Sequence, residues 1–235
     1  MTSKKPPVLL FDLDGTLLSI NSFPVWVKWM LWGKFTHLPM LWRLKLFIQT
    51  ATALVRRKAG KDNHAEFKKR LQVAWRGATV KDESCQSSEF LADLMLGYVR
   101  DNLRPLINAL SRTPYDAILT TAAAEEYAVP LAKKLGFTNV ICTRLAAIPY
   151  LENLAETKMQ NTVLELQRLQ WGERTRIFFT DHIDDIPLVK VCEKTFWFGD
   201  AESFGIAKQM APDSNIEWAL DYGSDQILEI LSCLN

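Results

Sequence analysis

The sequence predicts an α/β fold: a doubly wound parallel sheet into which one all-helical segment has been inserted. Five short apolar runs support the sheet, Val8–Asp12, Ala117–Thr121, Val140–Thr143, Arg176–Asp181 and Thr195–Phe198. They are continuous rather than alternating, as expected of strands covered on both faces. Amphipathic helical patterns separate most of them, which favours parallel pairing. The third observation is a long interval, 19–110, with helical patterns and no convincing strand. It is too long for a simple crossover and reads as an inserted helical cap domain. The expected division is 1–18 with 111–235 as the α/β core and 19–110 as the cap.

Taken in order, Val8–Asp12 is a buried strand delivering Asp12-Leu13-Asp14-Gly15-Thr16 at its carboxyl end. In the cap, Asn63 and Glu66 have the spacing of a capping box, with Gly77 near the end of the helix they open. Phe90, Leu91, Leu94, Met95, Tyr98 and Val99 form an apolar stripe at helical spacing. After the strand Ala117–Thr121, a helix opens with Glu125 and Glu126. Tyr127, Leu131 and Leu135 keep its spacing, and Gly136 follows as its C-terminal cap. Met159, Val163, Leu166 and Leu169 repeat the pattern after Val140–Thr143. Thr157 and Gln160 are spaced as a capping box, which places Lys158 in that helix's first turn. Arg176–Asp181 then delivers a second acidic group, and Thr195–Phe198 completes the set.

Composition narrows the function. Among 235 residues the formal net charge is only +1, which does not point to nucleic acid. Cys85, Cys142, Cys192 and Cys233 lie far apart and read as free thiols of a reducing compartment. Lys4 and Lys5 precede an apolar run that Asp12 and Asp14 interrupt, so a secretory signal is not expected. The expected location is the cytoplasm.

Four pieces carry chemistry. Asp12 and Asp14 stand at i and i+2 beyond a strand end, where open α/β sheets bind ligands, and extended backbone points both to one side. Gly15 lets the chain turn away. One carboxylate can attack phosphorus while its neighbour protonates the departing oxygen; the structural alternative is an acidic turn. Thr121, at a strand end before a helix, can hold a phosphoryl oxygen or simply cap the helix. Thr120 is its rival and should point to the opposite face. Lys158 in a first helical turn opposes the helix dipole, a cost that phosphate neutralisation would explain; the alternative is a solvated lysine. Asp181 and Asp185 supply hard oxygen ligands of the kind magnesium prefers, or else a favourable acidic helix start. His182 reads as a packed or solvated loop residue.

The ordered set Asp12-Leu13-Asp14-Gly15-Thr16, Thr121, Lys158, Asp181 and Asp185 resembles the haloacid dehalogenase-like hydrolase superfamily, with its Rossmann-like core. Within it, the chain is similar to the phosphoserine-phosphatase-like branch, which carries a helical cap between the first and second motifs. The resemblance covers residues 8–18 and 112–200; the cap matches only in position and helical character. It implies a magnesium-dependent phosphatase acting on a small phosphorylated substrate. Asp12 would be the nucleophile and a metal ligand. Asp14 would be the general acid and then base, its carbonyl also binding Mg2+. Thr121 and Lys158 would hold the phosphoryl group, together with Gly15 and Ala122. Asp181 and Asp185 would complete the metal site. An aspartate at position 14 favours phosphate esters over dehalogenation. Thr180 departs from the family's usual glycine and His182 from its usual serine, so a side chain at 180 is expected to crowd the phosphate loop. No acidic residue lies between Asp14 and Asp62, which argues against phosphoserine. A phosphotransferase or phosphomutase would present the same site, and a catalytically weak binding protein is a rival of a different class.

The acid-free interval has its own character. It contains Lys28, Lys34, Arg43, Lys45, Arg56, Arg57, Lys58 and Lys61, eight positive charges against +1 overall, leaving −7 elsewhere. Phe23, Trp26, Trp29, Trp32, Phe35, Trp42 and Phe47 are interleaved with them. Such a segment fits an anionic membrane interface, with a phospholipid phosphate monoester as substrate; the alternative is a cap core or dimer contact with solvated cations. The interruptions by charge argue against a transmembrane span.

Overall fold

The structure, a computed structural model, describes residues 5–33, 38–79, 86–112 and 115–233. Lys4, Lys34, Phe35 and Cys85 lie outside them. Cys142, Cys192 and Cys233 are free thiols.

The described residues form a six-stranded parallel sheet in the order β3-β2-β1-β4-β5-β6. Its strands are β1 (Val8–Phe11), β2 (Asp116–Ala124), β3 (Asn139–Thr143), β4 (Arg176–Thr180), β5 (Lys194–Trp197) and β6 (Ile216–Trp218). The order reverses at β1, whose neighbours are β2 and β4, with Phe11 level with Leu119 on one side and Phe179 on the other. That is the topological switch point, where a doubly wound sheet opens a crevice. All five expected strands are present, and β2 runs three residues beyond Thr121. The edge strand β6 was not anticipated: Ile-Glu-Trp is too short to display a period.

Alternate side chains of β1 feed two cores. Leu9 and Phe11 join the larger cluster, where Phe11 stacks on Phe179 at 4.3 Å. Val8 and Leu10 join the other face with Phe178, Leu166 and Trp197. Continuous apolar strands are therefore required here, because neither face meets water. After β2 come α6 (Glu125–Lys134), α7 (Ala155–Arg168), α8 (Ile186–Val189), α9 (Ala201–Met210) and α10 (Ser224–Ser232), while α5 (Arg104–Ala109), within the interval expected to be the cap, meets α10 through the Leu106 N–H donating to Ser224 Oγ at 3.1 Å. Gly136, at φ +83°, follows α6 in the conformation expected of a helix terminator.

Between β1 and β2, ahead of α5, lie α1 (Ser22–Trp32), α2 (Met40–Lys58), α3 (His64–Thr79) and α4 (Gln86–Leu96). Asn63 and Glu66 form the expected reciprocal capping box, with both bonds within 2.9 Å. Trp26 and Met30 are buried, Trp26 packing edge-on against Trp75 and tilted against Tyr127.

Gly77 lies near the end of α3 as expected, the described part of the helix reaching Thr79. Two other helix boundaries differ from expectation. α4 ends at Leu96, before the last two residues of the apolar stripe. Leu18 forms an isolated bridge with Val99, Ser19 N–H donates to Tyr98 O and Arg100 N–H to Leu17 O, both at 2.9 Å. Pairing across the segment's entry and exit displaces the helical continuation of the stripe. The helix bearing Lys158 starts at Ala155 rather than at a Thr157 cap, and Lys158 N–H already donates to Leu154 O at 3.3 Å.

Candidate active site

A cavity of about 610 Å³ opens at the switch point beside the β1, β2 and β4 carboxyl ends, with α1 and α3 contributing Phe23, His64 and Lys68. It brings together Asp12, Asp14, Gly15, Thr121, Ala122, Lys158, Asp181 and Asp185, which are spread over the chain from position 12 to 185.

Lys158 is at the centre. Its buried ammonium lies 2.6 Å from Asp12 Oδ1 and 2.7 Å from Asp185 Oδ1. Burial alone would lower its pKa, but Asp12 and Asp185 outweigh that and hold it above the ordinary lysine range. Lys158 is therefore a fixed cation. Asp185 is engaged on both oxygens, since Oδ2 also takes Lys158 at 2.8 Å and the Thr180 hydroxyl at 2.5 Å. The side chain at Thr180 does not crowd the cavity: it is fully buried and turned to Asp185.

Asp12 is pushed well above the usual carboxylate range, first by burial and against the pull of Lys158, with Asp185 and Asp181 adding to the rise. Asp14 is also raised by burial, opposed by the Ser22 N–H that donates to its Oδ1 at 2.8 Å. Ser22 in turn donates from Oγ to the Tyr127 hydroxyl at 3.2 Å. Asp181 is pushed up to about 6 by burial, with Asp185 contributing and the Thr16 hydroxyl, donating at 3.0 Å, opposing. Beyond burial, repulsion from neighbouring carboxylates adds to the rise of Asp12 and Asp181.

Gly15 is required by two geometric facts. Its φ is +72°, and a Cβ there would fall 1.9 Å from Asp181 Oδ2. Its N–H donates to Ile20 O at 3.2 Å, so in this conformation its contribution is space rather than a phosphate donor. Arg100 clamps its carbonyl from Nη2 at 2.7 Å.

Thr121 Oγ accepts from Ala123 N–H at 3.1 Å, which leaves its own proton to donate. Thr120 points to the other face, where its hydroxyl meets Thr162 Oγ at 2.9 Å. The Ala122 carbonyl is held by Lys68 Nζ at 3.1 Å and Thr143 Oγ at 2.8 Å. Asn153 is buried against the same strand, donating from Nδ2 to Thr121 O at 3.0 Å. His182 is largely exposed and its Nδ1 accepts from Asp184 N–H at 3.2 Å.

Sequence reasoning did not find Arg100, Lys68, Asn153, Glu152 or the face of α3. Lys68, Gln72 and Arg76 recur at i, i+4 and i+8, and each reaches the core. Lys68 pairs with Glu152, Gln72 donates to Glu126 Oε2 at 2.8 Å, and Arg76 donates to Glu126 Oε1 at 3.0 Å. Helical spacing was a visible signal, but charged residues at such spacing usually mark a solvated face.

Among the described residues, no three His, Cys, Asp or Glu side chains converge as a ready-made metal cage. The donor set nevertheless fits magnesium, which takes one or two carboxylates and completes its shell with water and phosphate oxygens. Asp12 and Asp181 are two of the carboxylates that line the cavity, and burial raises the pKa of both.

The family model described as haloacid dehalogenase-like hydrolase matches residues 9–190. Among solved structures, a protein of unknown function from Bordetella pertussis Tohama I superposes with a TM-score of 0.69 at 16% identity, covering 91% of this chain and 98% of that one. A substrate-bound phosphoserine phosphatase superposes at 0.56 with 13% identity, covering 97% of this chain and 99% of that one. A hydrolase of the same family from Salmonella enterica serovar Typhi superposes at 0.59 with 11% identity, over 96% and 72% respectively. At these identities the likeness is one of fold. No curated protein matches the sequence.

Proposed function

Because the chain belongs to the haloacid dehalogenase-like hydrolase family, we propose that it is a magnesium-dependent phosphatase. It would hydrolyse a small phosphomonoester through a phosphoaspartyl intermediate on Asp12. The observation that carries this reading is the fixed Lys158 cation on Asp12 Oδ1 at 2.6 Å, in one cavity with a second carboxyl, Asp14, that burial favours in its protonated form.

Lys158 holds Asp12 by Oδ1, which leaves Oδ2 to attack phosphorus. As the new O–P bond forms, the ester P–O bond breaks and the Asp14 proton passes to the leaving oxygen. Asp14, now a carboxylate, takes a proton from the water that attacks the aspartyl phosphate. The O–P bond to Asp12 then breaks, inorganic phosphate departs and both side chains return to their starting states. Lys158 and the Thr121 hydroxyl hold phosphoryl oxygens throughout, and Asp185 with Thr180 keeps Lys158 in place. Asp12, Asp181 and the Asp14 carbonyl would hold magnesium, which when bound neutralises converging oxyanions as a Lewis acid.

The test is hydrolysis of p-nitrophenyl phosphate with and without magnesium by wild type, Asp12→Asn and Asp14→Asn. Turnover should require magnesium and vanish in Asp12→Asn. Asp14→Asn should lose about 10²–10⁴-fold, the usual share of acid–base catalysis. Folded Asp12→Asn protein that still turns over, or folded wild type inert on both aryl and lipid phosphates, would refute the reading.

A further inference from the structure

The helix α2 has two apolar stripes where a solvated cap helix needs one. Leu46, Thr50 and Ala53 are buried against the neighbouring helices. On the opposite side, Met40, Leu41, Leu44, Ile48 and Val55 are exposed, with fractional exposures from 50% to 83%. At about 100° per residue, these five fall within an arc of about 100°. Trp32 extends the patch: it is 73% exposed and its ring lies 5.5 Å from Phe47. A contiguous exposed apolar face of this kind marks an interaction surface.

Charge selects the partner. Residues 15–61 contain eight Lys and Arg and no Asp or Glu. Arg43 and Lys45 flank the apolar arc on its two sides, and Arg57, Lys58 and Lys61 crowd the helix's far end, all of them exposed. Arg56 is the exception, being paired to Asp62 at 2.8 Å. A second copy of the chain would set this excess of positive charge against itself. An anionic lipid surface accepts both features, with aliphatic side chains and Trp32 below the headgroups and lysine and arginine among the phosphates. No described helix is long and apolar enough to cross a membrane, so the contact is with the surface. We propose that the exposed face of α2, with Trp32, docks this protein on anionic membranes. This is independent of the phosphatase reading, and its test needs no turnover.

The experiment is co-sedimentation with vesicles of pure phosphatidylcholine and of equimolar phosphatidylcholine and phosphatidylglycerol. Sedimentation equilibrium without lipid runs alongside. Wild type should bind the anionic vesicles alone and be released by molar salt, as the Debye length shrinks from about 10 Å at 0.1 M to about 3 Å at 1 M. Each cation at such a surface is worth about fivefold in binding, so Arg43→Gln/Lys45→Gln should bind about 30-fold more weakly. Leu44→Ser/Ile48→Ser should also lose binding while keeping the circular dichroism and thermal unfolding midpoint of wild type. Failure of wild type to bind anionic vesicles, or equal binding to neutral ones, would overturn the proposal. So would a lipid-free dimer that Leu44→Ser/Ile48→Ser converts to monomer. The wild-type salt titration decides the matter even if a variant fails to fold.

Discussion

Replacing Lys158 by Met removes the only cation within 2.8 Å of both Asp12 and Asp185 among the described residues, and the size of the effect follows from their burial. Methionine approximates the lysine stem in volume, so packing changes little and the loss is electrostatic. Breaking a buried ion pair by removing one partner costs about 3–5 kcal/mol, because the other charge stays desolvated and uncompensated. With a urea slope of about 2–3 kcal/mol per molar, the unfolding midpoint should fall by about 1–2.5 M at neutral pH. The cost must depend on pH in a definite direction. Burial already raises Asp12, and Lys158 is what pulls it back. Without Lys158, folded Asp12 retains a proton that the unfolded chain releases near pH 4. A raised carboxyl contributes stability that is present below the unfolded value and lost as pH rises through the folded one. The deficit of Lys158→Met should therefore be smallest near pH 5 and grow toward pH 8. The assay is urea unfolding of both proteins across that range with chelator present. A variant equal to wild type at pH 8, or a deficit independent of pH, would refute the idea that Lys158 acts as the buried counter-charge.

Three further outcomes are expected. Gly15→Ala forces a Cβ onto Asp181 Oδ2 at φ +72°, so turnover should fall about 100-fold through misplacement, and the magnesium-induced rise in Tm should disappear; an unchanged magnesium response would show that Asp181 tolerates the shift. In metal-free protein Asp181, at about 6, weakens the fold as pH rises from near 4 through that value. The rise in Tm with magnesium should therefore be larger at about pH 7.5 than at about pH 5, where a proton must first be displaced; a larger rise at the lower pH would contradict the assignment. Thr180→Val strips Asp185 Oδ2 of its hydroxyl donor at 2.5 Å and should cost about 1–3 kcal/mol, whereas Thr180→Ser should keep most of the stability; calorimetry of the pair checks this, and a Val variant as stable as wild type beside a destabilised Ser variant would mean that the methyl matters rather than the bond.

The strands and the carboxylates at their ends were legible because the signals are local. A run such as Ile177-Phe178-Phe179 declares burial on both faces, and Asp14-Gly15 declares a turn whatever lies elsewhere. Helix ends were less legible where a distant segment competes, as when Leu18 pairs with Val99 and takes Tyr98 and Val99 out of the helical pattern.

What the sequence determined by itself was the alternation of buried strands and helices, the helical interval, and which oxygen-bearing side chains stand at strand ends. Only the tertiary structure decided which charges meet. Lys158 is 146 residues from Asp12, Gln72 is 54 from Glu126, and Arg100 is 85 from Gly15. The tertiary structure also decided that the aliphatic residues of α2 divide between a buried and an exposed stripe. Periodicity and capping act over a few residues, whereas ion pairing and burial depend on distances set only once the sheet closes and the helices pack on it.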